Sequence, residues 1–307
     1  MKLQIPKDFF EKEIRLDHEI SEKFKHAWAI QLTLLDQVLE IAKRHEIPIW
    51  LDYGSLLGAV RHKGYVPWDD DIDICAFRAD YMRLLFILEK ELPEYCRVRS
   101  LYTTEGYEQP KAFIACRDVI DIGLSEEERK ITEIYYGCPY CTGLDFYPLD
   151  YSAKDEKQWA MIKQIYIAVY DLAIGMEHYV RTGEFEGLLV QVEDILNVSI
   201  ERDEHIKQSL LKLMDSVAMM TTGEEAGYCL WYPDAAMRNN DMRRPLSSYD
   251  ETIETGFEML KVPIPIGYDD VLSRCYGKDY MTPRKALPNH GYPFFEGQEE
   301  IISGYNK

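Results

Sequence analysis

Closely spaced aspartates are the residues of this sequence best suited to carry chemistry. Asp69, Asp71 and Asp73 alternate within the run Trp-Asp-Asp-Asp-Ile-Asp-Ile that begins at Trp68. On an extended segment their side chains would share one face and recur about every 6.6 Å. Carboxylates this close repel one another unless a cation lies among them, and hard oxygen ligands favour Mg²⁺ or Mn²⁺. The spacing therefore predicts a divalent-metal site, with a solvated acidic turn as the alternative.

A later carboxylate is the natural partner of this acidic run. Asp145 lies between apolar neighbours in Gly-Leu-Asp-Phe-Tyr, on a predicted strand. Alone it could be an ordinary half-exposed strand residue. Beside a sheet that already carries acidic residues, it is either a further metal ligand or the general base.

A glycine-serine turn and a basic triplet precede the acids. Gly54 and Ser55 follow a short apolar stretch, and Ser55 is the predicted N-cap of a short helix whose free N–H groups suit an anion. Arg61, His62 and Lys63 then lie between this turn and the aspartates. Arginine has the fork geometry that binds a diphosphate. We predict a phosphate clamp here, with an exposed basic helix end as the alternative.

Helices and strands must hold these groups in place. Apolar residues at three-, four- and seven-residue steps predict core helices over Ile20–His45 and Arg78–Leu92. The other core elements are predicted strands at residues 49–53, 71–76, 97–102, 111–117 and 141–149, the last ending at Pro148, and a charged loop at residues 125–130.

Helical periodicity dominates the second half, at residues 159–174, 188–196 and 205–220, and the chain after Pro233 is predicted to be loop-rich. The whole pattern predicts an α/β (α+β) fold with a mixed-sheet core. We place the catalytic core at residues 1–150, and a helical cap with the C-terminal segment at residues 151–307, packed on the core as one unit.

Composition limits the partners. The 307 residues are 46% hydrophobic, which is enough for a sizeable core, and the formal net charge is −19. This charge argues against nucleic acid or an anionic membrane as a bulk partner. Seven scattered cysteines do not suggest a disulfide framework, and neither an apolar leader nor a transmembrane segment is evident. We predict a cytoplasmic protein that at most makes peripheral contact with the inner face of the membrane.

The stretch GSLLGAVRHKGYVPWDDDIDI, residues 54–74, resembles the LicD family of the nucleotidyltransferase superfamily. Two later stretches are similar to further blocks of that family: LDFYPLD at residues 144–150, and residues 257–283, which include Phe257-Glu258 and Tyr276-Gly-Lys-Asp-Tyr-Met. Members of the family look like phosphocholine transferases and fukutin-type ribitol-phosphate transferases. The long first stretch is specific, whereas a lone D-x-D would not be.

The resemblance implies a nucleotidyltransferase-like sheet and a metal-dependent enzyme using Mg²⁺ or Mn²⁺. Such an enzyme would transfer a phospho-alcohol from a CDP-activated alcohol to a hydroxyl of a glycan or glycolipid, releasing CMP. The resemblance implies that Gly54, Ser55 and Arg61 bind the donor, and we add Lys63 from the same basic run. The implied metal ligands are Asp69, Asp71, Asp73 and Asp145. The implied catalytic residues are Asp71, Asp73 and Asp145.

Three other functions compete with this one. A nucleotidyltransferase that transfers NMP would use the same metal site. A D-x-D glycosyltransferase would need a nucleotide-binding strand–helix repeat before the acids, and a binding module would tolerate loss of the acids.

The alcohol stays open between choline, ribitol, glycerol and ethanolamine. The chain departs from the family pattern around Arg117, and His290 in the tail is either a loop residue or one that reaches the site.

Overall fold

The computed structural model describes residues 3–285 and 292–305. The helices are α1 (Glu22–Arg44), α2 (Tyr53–Arg61), α3 (Arg78–Glu91), α4 (Glu126–Ile134), α5 (Glu156–Ile174), α6 (Met176–Thr182), α7 (Phe185–Leu196), α8 (Ile206–Ala218), α9 (Pro233–Met237), α10 (Tyr268–Tyr276) and α11 (Phe294–Tyr305). The strands are β1 (Glu13–Arg15), β2 (His18–Ile20), β3 (Trp50–Leu51), β4 (Asp73–Phe77), β5 (Arg97–Arg99), β6 (Ala112–Ala115), β7 (Gly143–Ala153), β8 (Ala226–Leu230), β9 (Arg244–Pro245), β10 (Thr252–Phe257) and β11 (Leu260–Pro265).

A mixed sheet forms the centre of the fold, with strand order β3-β4-β7-β6-β5. β4 and β7 run parallel, while β3 with β4, β6 with β7, and β5 with β6 are antiparallel. The far end of β7 pairs with β8, which in turn pairs with β9. With helices packed around this sheet, the predicted mixed α/β class is confirmed.

The first long helix follows the predicted apolar stripe. Ser21 caps α1, and its hydroxyl accepts a hydrogen bond from the backbone N–H of Phe24. The helix ends at Arg44, shortly before Pro48, which disfavours helical backbone in the residue before it. Trp28, Leu35 and the other stripe residues are buried, so α1 serves as a wall against which the sheet and the acidic segment pack.

The strand that carries Asp145 is longer than predicted. It was expected to end at Pro148, but β7 continues to Ala153. Asp145 N–H donates toward β4, and bonding direction alternates along a strand, so Pro148 faces the other side. On that side β6 has already ended at its pair with Phe146, and β8 begins only at its pair with Asp150. The proline occupies this gap, where its missing N–H removes no ladder bond.

Residues 125–130 do not form the charged loop that we predicted. They begin helix α4, whose N-cap Ser125 accepts a hydrogen bond from the N–H of Glu128 at 3.0 Å. Three glutamates in the first turn also complement the positive end of the helix. Serine followed three residues later by glutamate is a capping box, so the sequence did carry a signal for this helix.

The segment after Pro233 is also more regular than its predicted loop-rich character. It contains the hairpin β10–β11 and the helices α9, α10 and α11. The hairpin turn is Glu258-Met259, with Glu258 at φ 51°. Two-residue hairpin turns usually contain glycine or asparagine, and this turn contains neither. Glu258 instead gains stability from Arg15, whose guanidinium donates to both its oxygens, and from the N–H of Tyr65.

Two hydrophobic clusters share the chain. One lies around α1, the central sheet and the β10–β11 hairpin, and the other lies among α5, α7 and α8. Arg78 joins them, with bidentate hydrogen bonds to Asp150 of β7 and to Asp215 of α8. The domain division at residue 150 stays a prediction, and that residue lies inside β7. Within the described residues, no helix combines the length and the hydropathy needed to cross a membrane.

Candidate active site

Parallel pairing of β4 and β7 brings the predicted acids together. Asp73, the first residue of β4, lies opposite Asp145 of β7. One carboxylate oxygen from each of Asp71, Asp73 and Asp145 lies within 4.8 Å of the others. The sequence-based expectation that a later strand brings Asp145 to the acidic run is therefore confirmed.

The first two acids reach this point from a loop rather than from a strand. β4 begins at Asp73 rather than at the predicted residue 71, so Asp69 and Asp71 precede the strand. Helix α1 holds the loop instead, because Trp28 Nε1 donates to the carbonyl of Asp69 at 3.0 Å. Asp69 consequently groups with Asp70 and Asp71, again within 4.8 Å, rather than with the Asp73–Asp145 pair.

The α1 side chain Gln31 completes the support of the loop. Its Nε2 donates to the carbonyl of Asp70 at 2.8 Å and to Thr142 Oγ1 at 3.0 Å, just before β7. One buried amide thus ties the acidic loop to the strand that carries Asp145. Since both attachments are to fixed elements, the relative position of the two acidic segments is set by α1.

Negative charge dominates the electrostatics of the site. Burial raises the pKa of Asp73 well above its usual range, and the charges of Asp71 and Asp145 raise it further. Burial likewise raises the pKa of Asp69, followed by the charge of Asp71. Carboxylates that share a site in this way are stabilised by a cation. The donor set, all carboxylate oxygen, fits Mg²⁺ or Mn²⁺.

Lys111 is a residue of this site that sequence reasoning missed. Its ammonium contacts Asp145 and donates to the hydroxyl of Tyr147 at 3.2 Å. The register of β6 on β7 pairs Phe113 with Asp145 and so sets Lys111 beside Tyr147. A strand register cannot be read from one sequence, so the sequence had no direct signal for this contact.

The helix after β3 starts earlier than predicted. Asp52, not Ser55, caps α2, and its carboxylate accepts from the N–H of Tyr53 at 2.8 Å. Asp52 follows β3 directly with extended backbone, so the helix begins as soon as the strand ends. Ser55 lies buried inside the first turn, where its hydroxyl accepts from the N–H of Asp73 at 2.9 Å. Its observed contact is thus with β4, the strand that begins at Asp73.

Gly54 occupies a position that a larger residue would disrupt. A Cβ there would lie 2.4 Å from Oδ2 of Asp69 and 3.9 Å from Oδ2 of Asp73. The absence of a side chain lets the start of α2 approach the acids closely. The helix N-terminus and the carboxylates therefore face the same space.

The basic triplet divides between two places. Arg61 lines the cavity above the acids, and its guanidinium donates to the carbonyl of Tyr280 and to the ring of His62. Burial, together with the charges of Arg61 and Arg15, lowers the pKa of His62 to about 4, so its ring is neutral and accepts this bond. Lys63 is exposed and donates to Thr255 Oγ1 of β10 at 3.1 Å, outside the cavity lining. Of the triplet, Arg61 alone lines the cavity, and phosphate binding by the triplet stays a prediction.

The acids open into a cavity of about 640 Å³. One wall is aromatic: the ring centroids of Tyr53 and Tyr147 are 5.1 Å apart, and those of Tyr147 and Trp231 are 5.0 Å apart, with interplanar angles of 63° and 79°. The lining residues that follow the acidic run in the chain are Tyr147, Trp231, Arg238, Tyr276, Asp279, Tyr280, Thr282 and Arg284. Trp231, Arg238 and Arg284 lie outside the stretches singled out from sequence, because tertiary packing alone brings them to α2.

Two other sequence candidates, Arg117 and His290, have different outcomes. Arg117 is buried, and its guanidinium donates to Thr132 Oγ1 at 2.7 Å and to the carbonyl of Cys138 at 3.1 Å. It anchors α4 and does not line the cavity. His290 lies outside the described residues.

Comparison with known proteins agrees with the resemblance. Residues 46–134 match the family model described as LicD/FKTN/FKRP, nucleotidyltransferase domain. The lipopolysaccharide cholinephosphotransferase LicD of Haemophilus influenzae is 41% identical over 64 residues, 21% of this chain and 24% of that protein. An uncharacterized protein of Rickettsia prowazekii is 33% identical over 97 residues, 31% of this chain and 33% of the relative.

These matches span about a third or less of each relative's length. The family match nevertheless takes in α2, Arg61, the acidic loop and β4, which are the parts that form one side of the cavity. Asp145 and Trp231, which forms part of the aromatic wall, lie outside the residues that match the family model. Residues 46–134 of this chain are similar to the nucleotidyltransferase domain of the LicD/FKTN/FKRP family.

Proposed function

We propose that this protein transfers a phospho-alcohol from a CDP-activated alcohol to a hydroxyl of a glycan or glycolipid, releasing CMP. The observation that carries the proposal is the convergence of Asp71, Asp73 and Asp145 beside the cavity that Arg61 lines. The name of the Haemophilus relative, a lipopolysaccharide cholinephosphotransferase, supports both the group transferred and the class of acceptor.

The metal-binding residues in this proposal are Asp71, Asp73 and Asp145, with Asp69 beside them. Mg²⁺ or Mn²⁺ bound there would neutralise charge on the phosphoryl oxygens and orient the reacting oxygens. Gly54 leaves room for the donor next to the acids, and Arg61 supplies a positive charge to its phosphates. Lys111 offsets part of the charge of Asp145.

The reaction follows from these positions. The acceptor hydroxyl oxygen attacks the phosphorus that bears the alcohol, and the bond from that phosphorus to the bridging oxygen breaks, so CMP leaves with the electron pair. The hydroxyl proton passes to a carboxylate. We assign this role to Asp69, which lies outside the group of Asp71, Asp73 and Asp145 and whose raised pKa favours proton acceptance.

The aromatic wall favours a cationic alcohol over a polyol. Tyr53, Tyr147 and Trp231 present rings at steep angles to one another beside a cluster of carboxylates. Aromatic faces attract quaternary ammonium groups, and nearby negative charge strengthens that attraction. Choline is therefore the alcohol that we propose.

All seven cysteines are free thiols, which supports a reducing compartment such as the cytoplasm.

The proposal is tested by CMP release from CDP-choline, CDP-ethanolamine, CDP-ribitol and CDP-glycerol with Mg²⁺, with and without a lipopolysaccharide acceptor. We expect acceptor-dependent CMP release that is fastest with CDP-choline. Asp73→Asn should abolish it, while Asp80→Asn on the exposed side of α3 should not. Incorporation of CMP itself into product would favour nucleotidyl transfer, and release from none of the four donors would refute the proposal.

A further inference from the structure

A second arginine in the cavity has a defined orientation. Arg238 follows α9, lines the cavity, and keeps 43% of its side chain exposed. Its Nε donates at 2.7 Å to Oδ1 of Asp234, a carboxylate that is only 2% exposed. Among the described residues, Nε is the guanidinium nitrogen of Arg238 that forms a hydrogen bond, so the two terminal nitrogens remain available on the cavity side.

The carboxylate that holds Arg238 also holds the start of α2. Oδ2 of Asp234 accepts from the hydroxyl of Tyr53 at 2.6 Å. Tyr53 is the first residue of α2, directly before Gly54, and its ring belongs to the aromatic wall. Arg238 is thus fixed, through one buried acid, beside both the aromatic wall and the glycine that abuts the metal-site acids.

The other cavity arginines are committed elsewhere. Arg61 bonds to the carbonyl of Tyr280 and to His62, and Arg284 pairs with Asp279 at a largely exposed position. Within the described part of the chain, Arg238 therefore has two free terminal nitrogens for a phosphate held between the acidic cluster and the aromatic wall, whereas Arg61 has one. A planar guanidinium anchored at Nε presents two parallel N–H donors, which is the geometry that binds two oxygens of one phosphate.

We propose that Arg238 binds the alcohol-side phosphate of the donor through its two terminal nitrogens, and that Asp234 is its positioning residue. The inference rests on the proposed function, which supplies the class of ligand. It adds a binding residue from outside the family-matched region and assigns that residue to one of the two donor phosphates. CMP, which lacks the alcohol-side phosphate, should not depend on Arg238.

Calorimetric binding of CDP-choline and of CMP, each with Mg²⁺, tests this assignment. A charge-assisted hydrogen bond contributes enough that Arg238→Gln should weaken CDP-choline binding about tenfold to 100-fold. Binding of CMP should change less than about threefold. Arg238→Lys keeps the charge without the fork, so it should fold and bind with intermediate affinity. Arg83→Gln, on the surface of α3, is the matched control and should bind as the wild type does.

The role of Asp234 is tested in the same assay. Asp234→Asn should weaken CDP-choline binding more in the wild-type background than in the Arg238→Gln background, because part of its influence passes through the arginine and the rest through Tyr53. Equal losses in both backgrounds would overturn the positioning role. Unchanged CDP-choline affinity in Arg238→Gln and Arg238→Lys would overturn the inference alone. Failure of the wild type to bind either nucleotide would overturn the proposed function, and the inference with it.

Discussion

Asp73 and Asp69 show, at the scale of single residues, why we propose that this site binds a cation. Each is a buried acid whose pKa is raised by burial and by neighbouring carboxylates. Lys111 contacts Asp145, at the far side of the cluster from Asp69. The folded chain therefore places more negative charge here than its own side chains neutralise, and a bound divalent ion would relieve that repulsion.

Metal stabilisation should accordingly depend on pH. Because the folded pKa values of Asp69 and Asp73 lie above the unfolded ones, the folded state holds extra protons, and the stability of the metal-free protein falls as pH rises from about 4 through the raised values. Mg²⁺ competes with those protons, so it should raise the melting temperature more at pH 8 than at pH 5.5. Thermal melts across pH measure this. An equal Mg²⁺ effect in Asp73→Asn would contradict it.

Gly54 gives a second residue-scale prediction. Gly54→Ala places a methyl group 2.4 Å from Asp69 Oδ2, so either the acidic loop or α2 must shift. We expect a loss of about 1–3 kcal/mol in the free energy of unfolding and a marked loss of Mg²⁺ binding. Gly187→Ala, on an open face of α7, is the control and should leave both unchanged or slightly improved. Wild-type Mg²⁺ affinity in Gly54→Ala would show that the acids do not need this close approach.

At the scale of elements, the sequence predicted those with strong periodicity or a distinct end signal. Helices α1, α3 and α5 follow their apolar stripes and stop near the predicted residues. α4 was missed because its charged composition concealed a capping box, and the β10–β11 hairpin because its turn lacks glycine and asparagine. For α4 the sequence carried a local signal that was not weighed. For the hairpin the usual turn signal is absent from the sequence.

The site divides in the same way. The acids were identifiable because their spacing is local, and Asp145 because it is an acid between apolar neighbours on a predicted strand. Lys111 and Arg238 were not, since one depends on the register of β6 and the other on where α9 packs. Contacts of that kind are set by tertiary structure and leave little trace in a single sequence.

Ser55 supplies the prediction for this scale, because it joins α2 to β4. In Ser55→Ala the N–H of Asp73 loses its acceptor within the buried site, which should cost about 1–3 kcal/mol in the free energy of unfolding. Ser216→Ala, at an exposed position of α8, should cost less than about 0.5 kcal/mol. Urea denaturation compares them. A Ser55→Ala protein of full stability whose donor affinity alone is reduced would instead support a direct contact between Ser55 and the donor.

The whole molecule depends on a junction between its two hydrophobic clusters. Arg78 lies at the start of α3 and makes bidentate bonds to Asp150 of the sheet and to Asp215 of the helical cluster. Tyr102 also donates to Asp215. The cavity lies close to this junction, since Trp231 packs against the first cluster while its chain neighbours Leu230 and Tyr232 belong to the second. Its shape therefore depends on how β4 and β7 sit against the helical cluster.

Arg78→Met tests that dependence. Removing the cation leaves two buried carboxylates facing each other, which should lower the free energy of unfolding by about 3–5 kcal/mol. Arg83→Met, five residues along α3 at an exposed pair, should change it by less than about 0.5 kcal/mol. Below its melting temperature, Arg78→Met should also bind CDP-choline more weakly, although Arg78 does not line the cavity. Stability loss with unchanged affinity would mean that the cavity is formed by the central sheet and the C-terminal segment without help from the helical cluster.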